Sequence, residues 1–273
     1  MIQKIKNFSA WHRQRLIKKI IVFLIVAALI TILGFVAWFL IYGEFMQVDE
    51  IKVSGTRMVL PADIIALMED GDSRRGGLWG FIFPENHQFI FKNNEELFQF
   101  IQRRFPRVAA TDITHDYENR TISIIVTERR EVATWCTATD NTRHCFWIND
   151  EGLVLDKAPD SRGTLIPVIT DKTHRDVFLG RRIIDQEKLK NLIQATEMFS
   201  EFGWATQEII IDDSLLQDAI ITIVSGQKVF ISLLRSPETN GRPILTEMAL
   251  SGKWTRVKHI DLRIEDRGFY TLR

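Results

Sequence analysis

Two cysteines are the residues whose spacing most directly indicates covalent chemistry. Cys136 and Cys145 flank the polar, turn-like segment TATDNTRH. Two strands joined by this loop would bring the sulfurs together, and in an oxidising compartment such a pair forms a disulfide. Two unrelated free thiols are the alternative. A zinc site with His144 is less well supported, because no second Cys or His pair stands at ligand spacing.

Motifs for catalysis are sparse in this sequence. Ser225-Gly-Gln-Lys228 matches the SxxK pattern of penicillin-interacting serine enzymes, but its surroundings predict a hairpin turn, whereas the enzymes open a helix there. The six histidines form no HExxH pattern, and the chain contains no Walker A loop, GxSxG or GxGxxG. The residues therefore support neither an enzyme nor a cofactor or metal site.

The charge distribution separates a short N-terminal segment from the rest of the chain. The 273 residues include 35 Lys and Arg against 35 Asp and Glu. Residues 1–19 hold six of the basic residues and no acidic one, so 29 basic and 35 acidic residues remain elsewhere. A basic nucleic-acid-binding body is therefore not expected.

An apolar run follows this basic tail and predicts a membrane anchor at 20–42. The 22 residues from Ile20 to Ile41 carry no charge, which is long enough to cross the hydrocarbon core of a bilayer. A cleaved signal peptide would have a shorter apolar region and a small-residue cleavage site, and a buried core helix would have a polar face. The positive-inside rule predicts a single-pass protein with a cytoplasmic N-terminus and residues from 44 onward outside.

The outward part is predicted to be α+β. Over 43–130 the pattern gives a strand at 48–54, a helix starting at Pro61 and ending before Gly71, a helix capped by Asn93 or Asn94, and a hairpin over 113–127. Residues 71–87 indicate a Gly-rich loop. Over 131–273 short strands dominate, with one helix after Asp185, a weaker one over Pro243–Leu250 and a closing strand around Val257–Ile264. We therefore expect a β-α-α-β-β domain followed by a β-rich domain with one or two helices.

Six short motifs in this order resemble those of one family of bacterial membrane proteins. They are Val48–Gly55 (VDEIKVSG), Phe105–Val108 (FPRV), Thr127–Trp135 (TERREVATW), Ile148–Gly152 with Val154, Leu165–Ile169 (LIPVI) and Ile260–Arg263 (IDLR). On these residues the chain is similar, over nearly its whole length, to the FtsQ/DivIB family of cell-division proteins. One departure is Glu131, where the family has proline.

The resemblance implies that 43–130 is a POTRA domain and that the chain is a non-enzymatic, bitopic scaffold of the divisome in the inner membrane at the septum. Members of the family connect early septal-ring components to FtsB/DivIC and FtsL and help control the septal peptidoglycan synthase. We therefore expect FtsB/DivIC-like and FtsL-like partners, and neither nucleic acid nor a small-molecule substrate.

The resemblance also supplies candidate partner-binding residues. In the family, the arginine of the DLR motif and the strand after it contact FtsB. Arg263 matches that arginine, Asp261 belongs to the same motif, and Ile264 stands where the family has a contacting tyrosine. Phe269 and Tyr270 are candidate aromatic anchors in its place, unless they pack on their own sheet.

An exposed closing strand would carry this interaction, because its unpaired backbone groups accept a further strand from a partner. We expect Val257–Ile264 to be that strand and Arg263 to face an acidic partner residue. The alternative is that Arg263 pairs internally, with Glu265 or with an acid on the neighbouring strand. Two other functions stay open. One is a POTRA-type module for polypeptide transport, although this sequence shows no strands for the outer-membrane barrel that usually follows such modules. The other is a membrane-tethered extracytoplasmic hydrolase, although this sequence shows no nucleophile or metal constellation.

Overall fold

The described part of the chain forms two compact units. The computed structural model describes residues 2–42, 48–73, 93–139, 142–160, 166–173, 175–213, 215–265 and 267–273. The first unit contains Met1–Ser54, Leu60–Leu97 and Asp112–Ile125, and the second contains Gly55–Val59, Phe98–Thr111 and Val126–Arg273. The predicted domain boundary at 130/131 stays a prediction. Residues 43–47, most of the predicted loop 71–87 and Leu165 of the LIPVI motif lie outside the described residues.

Helix α1 (Ile2–Tyr42) contains the predicted anchor. Its segment Lys18–Phe39 has a mean hydropathy of 3.1 over 22 residues, and none of that segment is buried in the protein. Among the described residues this is the one helix long and apolar enough to cross a membrane. The structure thus confirms a single N-terminal apolar helix of spanning length, while the orientation of the chain stays a prediction.

A three-stranded sheet and two helices follow. Strand β1 (Glu50–Ser54) pairs in parallel with β3 (Thr121–Glu128), and β2 (Val108–Asp116) lies on the other side of β3. Helix α2 is Pro61–Ser73 and helix α3 is Asn94–Arg104. Two sequence predictions need correction, because α2 continues past Gly71 and β2 begins five residues before Ile113.

The predicted cap of α3 is confirmed in its local chemistry. The Asn93 side-chain oxygen accepts hydrogen bonds from the backbone N–H groups of Glu95, at 2.6 Å, and Glu96, at 3.2 Å. These are two of the donors that a helix N-terminus leaves without an intrahelical partner. Arg103 and Arg104 lie in the last turn, where positive charge complements the helix dipole.

The second unit is built on a nine-stranded mixed sheet. Its order in the described residues is β12-β11-β10-β9-β8-β7-β4-β5-β6. The strands are β4 (Ala133–Thr139), β5 (Thr142–Ile148), β6 (Val154–Ala158), β7 (Val168–Asp171), β8 (Thr206–Ile211), β9 (Asp218–Ile223), β10 (Lys228–Ser232), β11 (Val257–Asp261) and β12 (Phe269–Leu272). Alternate side chains of β8, β9 and β10 are buried, as expected of strands with one face on a core.

One long helix covers that core. Helix α4 (Gln186–Glu201) is capped as predicted, since the Asp185 carboxylate accepts a hydrogen bond from the Glu187 backbone N–H at 2.9 Å. Buried side chains at Leu189, Leu192 and Phe199 recur at helical spacing and join the strands in one hydrophobic cluster. The short helices α5 (Pro237–Asn240) and α6 (Arg242–Leu250) follow β10, and a 3-10 turn (Lys253–Arg256) leads into β11. The sequence prediction missed α5.

The β4–β5 hairpin brings the two cysteines together. Cys136 and Cys145 lie directly opposite each other in its register, and their sulfurs form a disulfide of 2.04 Å. Both residues are buried beside Val168 of the neighbouring strand β7. In the structure the pair is therefore bonded, as one of the sequence alternatives expected.

Candidate partner-binding edge

The end of the large sheet differs from the sequence prediction in one decisive way. Strand β11 ends at Asp261 and lies between two neighbours, because it pairs in parallel with β10 and antiparallel with β12. The prediction that Val257–Ile264 is the exposed closing strand is therefore wrong. Among the described strands the outermost is β12, Phe269–Leu272, which runs antiparallel to β11.

The backbone register identifies which groups of β12 face away from the sheet. The Arg273 N–H donates to the Arg256 carbonyl at 2.8 Å, so Arg273 faces β11. Inward and outward groups alternate along a strand. Thr271 and Phe269 therefore also face β11, and the N–H and C=O groups of Tyr270 and Leu272 face outward. No other strand of the described chain lies beyond them.

The side chains of this edge are exposed and largely apolar. Phe269 is 55% exposed, Tyr270 44% and Leu272 39%. Ile264, in the turn before β12, is also exposed. About half of the Phe269 and Tyr270 side chains is therefore open to a partner, and their role as anchors stays a prediction.

Arg263 is held by contacts within its own chain. Its Nε and Nη2 donate to the two carboxylate oxygens of Asp261 at 2.9 and 2.6 Å, and Nη1 lies 3.3 Å from an oxygen of Asp218. The hydrogen bond from Arg263 is the main reason that the pKa of Asp261 is lowered, although partial burial opposes this. The same bond is the main cause of the raised pKa of Arg263. Arg263 therefore pairs within its own chain, as the alternative prediction stated, and its partners are Asp261 and Asp218.

Arg235 and an aromatic contact also hold the turn that follows β11. Arg235 Nη1 donates to the Arg263 carbonyl at 2.6 Å, and Arg235 also lies 3.8 Å from the Glu265 carboxylate. The Arg263 guanidinium carbon is 5.4 Å from the centre of the Phe230 ring, a cation–π distance. Arg235, Asp218 and Phe230 were not expected from the sequence, because their distance along the chain hides their role.

The SxxK motif begins in a hairpin turn, as its surroundings predicted. Ser225 belongs to the turn between β9 and β10, and its hydroxyl lies 2.5 Å from the Gln227 side-chain oxygen. Gly226 has a φ of +91°, as a tight turn requires. Within the described ranges, no group of three or more His, Cys, Asp and Glu side chains is arranged to hold a metal ion.

No protein-family model matches the chain, and the search of curated proteins finds no match either. The functional proposal therefore rests on the sequence motifs and on the geometry of the β12 edge.

Proposed function

We propose that this protein is a non-enzymatic, single-pass scaffold of the bacterial divisome. It sits in the cell membrane at the division septum with its N-terminus in the cytoplasm. Its outward part binds FtsB/DivIC-like and FtsL-like proteins, and through them it helps control septal peptidoglycan synthesis. The six motifs that resemble the FtsQ/DivIB family support this proposal, together with one helix of spanning length near the N-terminus.

The observation that carries the proposal is the open edge of β12. Outward N–H and C=O groups at Tyr270 and Leu272 are a template for one more strand, and sheets add partner segments in this way. Exposed edges are usually blunted by charges, prolines, bulges or short strands, because they otherwise recruit strands without selection. The four-residue β12 is short, and its register with β11 shifts between Val257 and His259. Strand β12 itself contains no charged residue and no proline, which suits an edge that is used.

The aromatic residues give this edge its selectivity. Backbone hydrogen bonds supply affinity for any extended segment, whereas side chains fix the register and identity of the added strand. Phe269 and Tyr270 are exposed anchors of the kind that dominates binding energy in interfaces. Arg263 has a different role in this proposal: it holds the turn next to β12 in place through Asp261 and Asp218.

A proline at Leu272 tests the added strand directly. The Leu272 N–H faces away from β11, so Leu272→Pro removes an outward donor and leaves the pairing with β11 intact. We expect at least tenfold weaker binding of the outward segment of the FtsB/DivIC-like partner to the full chain in a neutral detergent, on the scale of about 1.4 kcal/mol or more. Leu272→Ala is the matched control, since it shortens the same side chain and keeps the donor. Equal affinities for the two variants would contradict pairing at this edge.

Localisation tests the proposal in cells. A fluorescent protein fused to the cytoplasmic N-terminus is expected to give a band at mid-cell in dividing cells. A module for polypeptide transport or a tethered hydrolase predicts signal around the whole envelope, so a uniform distribution would favour those alternatives.

A further inference from the structure

A second feature of the outward part is a cavity within the second unit. It has a volume of about 820 Å³ and is formed by the loop that starts at Gly55 and by the segment 126–131. This volume lies within the range of small-molecule sites, roughly 300–1,000 Å³. Gly55 has a φ of +81°, and a Cβ atom there would lie 2.4 Å from the Val126 carbonyl oxygen. The loop thus packs directly on the end of β3.

Four arginines line this cavity, and three of them have no carboxylate partner among the described residues. Arg107 pairs with Glu131 at 2.8 Å. Arg129 donates to two neutral acceptors, the carbonyl oxygens of Pro106 and Val108. In the part of the chain that the structure describes, no carboxylate forms an ion pair with Arg57, Arg129 or Arg130. Although partial burial opposes it, the pKa of Glu131 is lowered by a backbone hydrogen bond and by Arg107, with a smaller contribution from Arg57.

The other acidic residue of the cavity, Glu128, is hydrogen-bonded to backbone N–H groups. The Glu128 carboxylate accepts hydrogen bonds from the N–H groups of Arg57 at 2.8 Å, Met58 at 3.1 Å and Val59 at 3.0 Å. Three converging N–H groups form a favourable site for an anion, and here the chain fills it with its own side chain. Glu128 therefore fixes the loop and does not pair with the arginine side chains.

The guanidinium of Arg107 is buried and only partly hydrogen-bonded. Its side chain is 2% exposed, and its Nε and Nη2 atoms have no hydrogen-bond partner in the described chain. A buried guanidinium with one carboxylate and two unsatisfied nitrogens is uncommon, because buried polar groups are nearly always paired. Additional negative charge in the cavity would stabilise this cation.

The charges of the cavity indicate its ligand. Four arginines against two glutamates leave an excess of two positive charges. A phosphate monoester carries about −1.5 to −2 at neutral pH, whereas a single carboxylate carries −1. Guanidinium groups bind phosphate oxygens through paired N–H donors. We propose that this cavity is a binding site for a phosphate monoester, with Arg57 and Arg130 as its exposed ligands.

The same phosphate chemistry occurs on soluble compounds and on lipid headgroups, and a matched pair of probes distinguishes them. Glycerol 3-phosphate and dihexanoyl phosphatidic acid, kept below its micellar concentration, carry the same phosphomonoester on glycerol. Each is titrated into the full chain in a neutral detergent by calorimetry, at an ionic strength of about 150 mM that screens non-specific attraction. Similar affinities indicate a soluble ligand, and tighter binding of the lipid indicates a headgroup.

Two double variants of equal charge decide whether the cavity is responsible. Arg57→Gln with Arg130→Gln is expected to weaken phosphate binding about tenfold or more, because each change removes a charge-assisted hydrogen bond. Arg256→Gln with Arg267→Gln removes the same charge from exposed positions outside the cavity and should change the affinity less than about twofold. Unchanged binding by the first variant, an equal loss in the second, or no saturable binding in the millimolar range would overturn the proposal. Melting temperatures of both variants verify that the fold is kept.

Discussion

Arg263→Glu is the substitution for which the structure most changes the expected result. From the sequence, this reversal should leave folding intact and abolish a contact with the partner. In the structure, Arg263 binds both oxygens of Asp261, lies 3.3 Å from Asp218 and covers the Phe230 ring. Reversal removes these contacts and places three carboxylates together. We therefore expect a loss of folding stability in addition to any effect on binding.

The magnitude of this loss follows from the exposure of the pair. The Arg263 side chain is 42% exposed, so each ion pair is worth about 0.2–1 kcal/mol and the cation–π contact about 0.5–1 kcal/mol. Their sum is on the order of 1–3 kcal/mol, which for a chain of this size lowers the melting temperature by about 2–12 °C. Tryptophan fluorescence of the full chain in a neutral detergent measures the shift at pH 7.

The pH dependence gives a second, independent signature. In the wild type the pKa of Asp261 is lowered, mainly by its hydrogen bond from Arg263. Its stabilising contribution is thus complete above the unfolded-state pKa near 3.9 and is lost as the pH falls through the folded-state pKa. In Arg263→Glu, we expect repulsion from the introduced carboxylate to raise the folded-state pKa of Asp261, so the stability of the variant should increase as the pH falls from 7 toward 4. A variant that melts like the wild type at both pH 7 and pH 5 would refute the internal pairing and leave Arg263 free for a partner.

Three further outcomes follow from the described geometry. The disulfide between Cys136 and Cys145, at a sequence separation of 9, stabilises the folded protein by about 2.6 kcal/mol in the loop-entropy model. Reduction should therefore lower the melting temperature by about 5–10 °C. Two thiols that react before reduction would contradict the bond. Gly55→Ala should lower the folding stability by at least about 1 kcal/mol more than Gly203→Ala does. Both glycines have a positive φ, but only at Gly55 would the added Cβ meet the Val126 carbonyl oxygen. Equal losses of stability in the two variants would contradict that packing. A reporter active only outside the membrane should work at the C-terminus and fail at the N-terminus, and the reverse pattern would overturn the proposed orientation.

Sequence reasoning succeeded where the determining contacts are local. The Asp185 carboxylate caps a backbone N–H two residues away, and Asn93 does the same at the start of α3. The apolar run at Lys18–Phe39 also needs no tertiary contact to be recognised. In each case the signal and its physical cause lie within one or a few turns of the chain.

The site was predicted less well because its contacts are distant in sequence. Arg263 meets Asp218 across 45 residues, and nothing near the IDLR motif marks that partner. Strand β12 has four residues, too few for an alternating pattern to be distinguished from a loop. Because β12 pairs with β11, the open edge is Phe269–Leu272 and not the predicted Val257–Ile264. The residues expected to bind a partner therefore form two groups, one that holds the structure around Arg263 and one that is exposed on β12.

Pairing at β12 can be tested by hydrogen–deuterium exchange of the full chain, with and without the outward segment of the proposed FtsB/DivIC-like partner. We expect the added strand to slow exchange in the peptide that contains Tyr270 and Leu272, whose N–H groups face outward in the free protein. Leu272→Pro should remove this protection and Leu272→Ala should retain it. Binding that protects another part of the chain, and leaves residues 269–273 exchanging as before, would contradict the claim that β12 is the partner-binding edge.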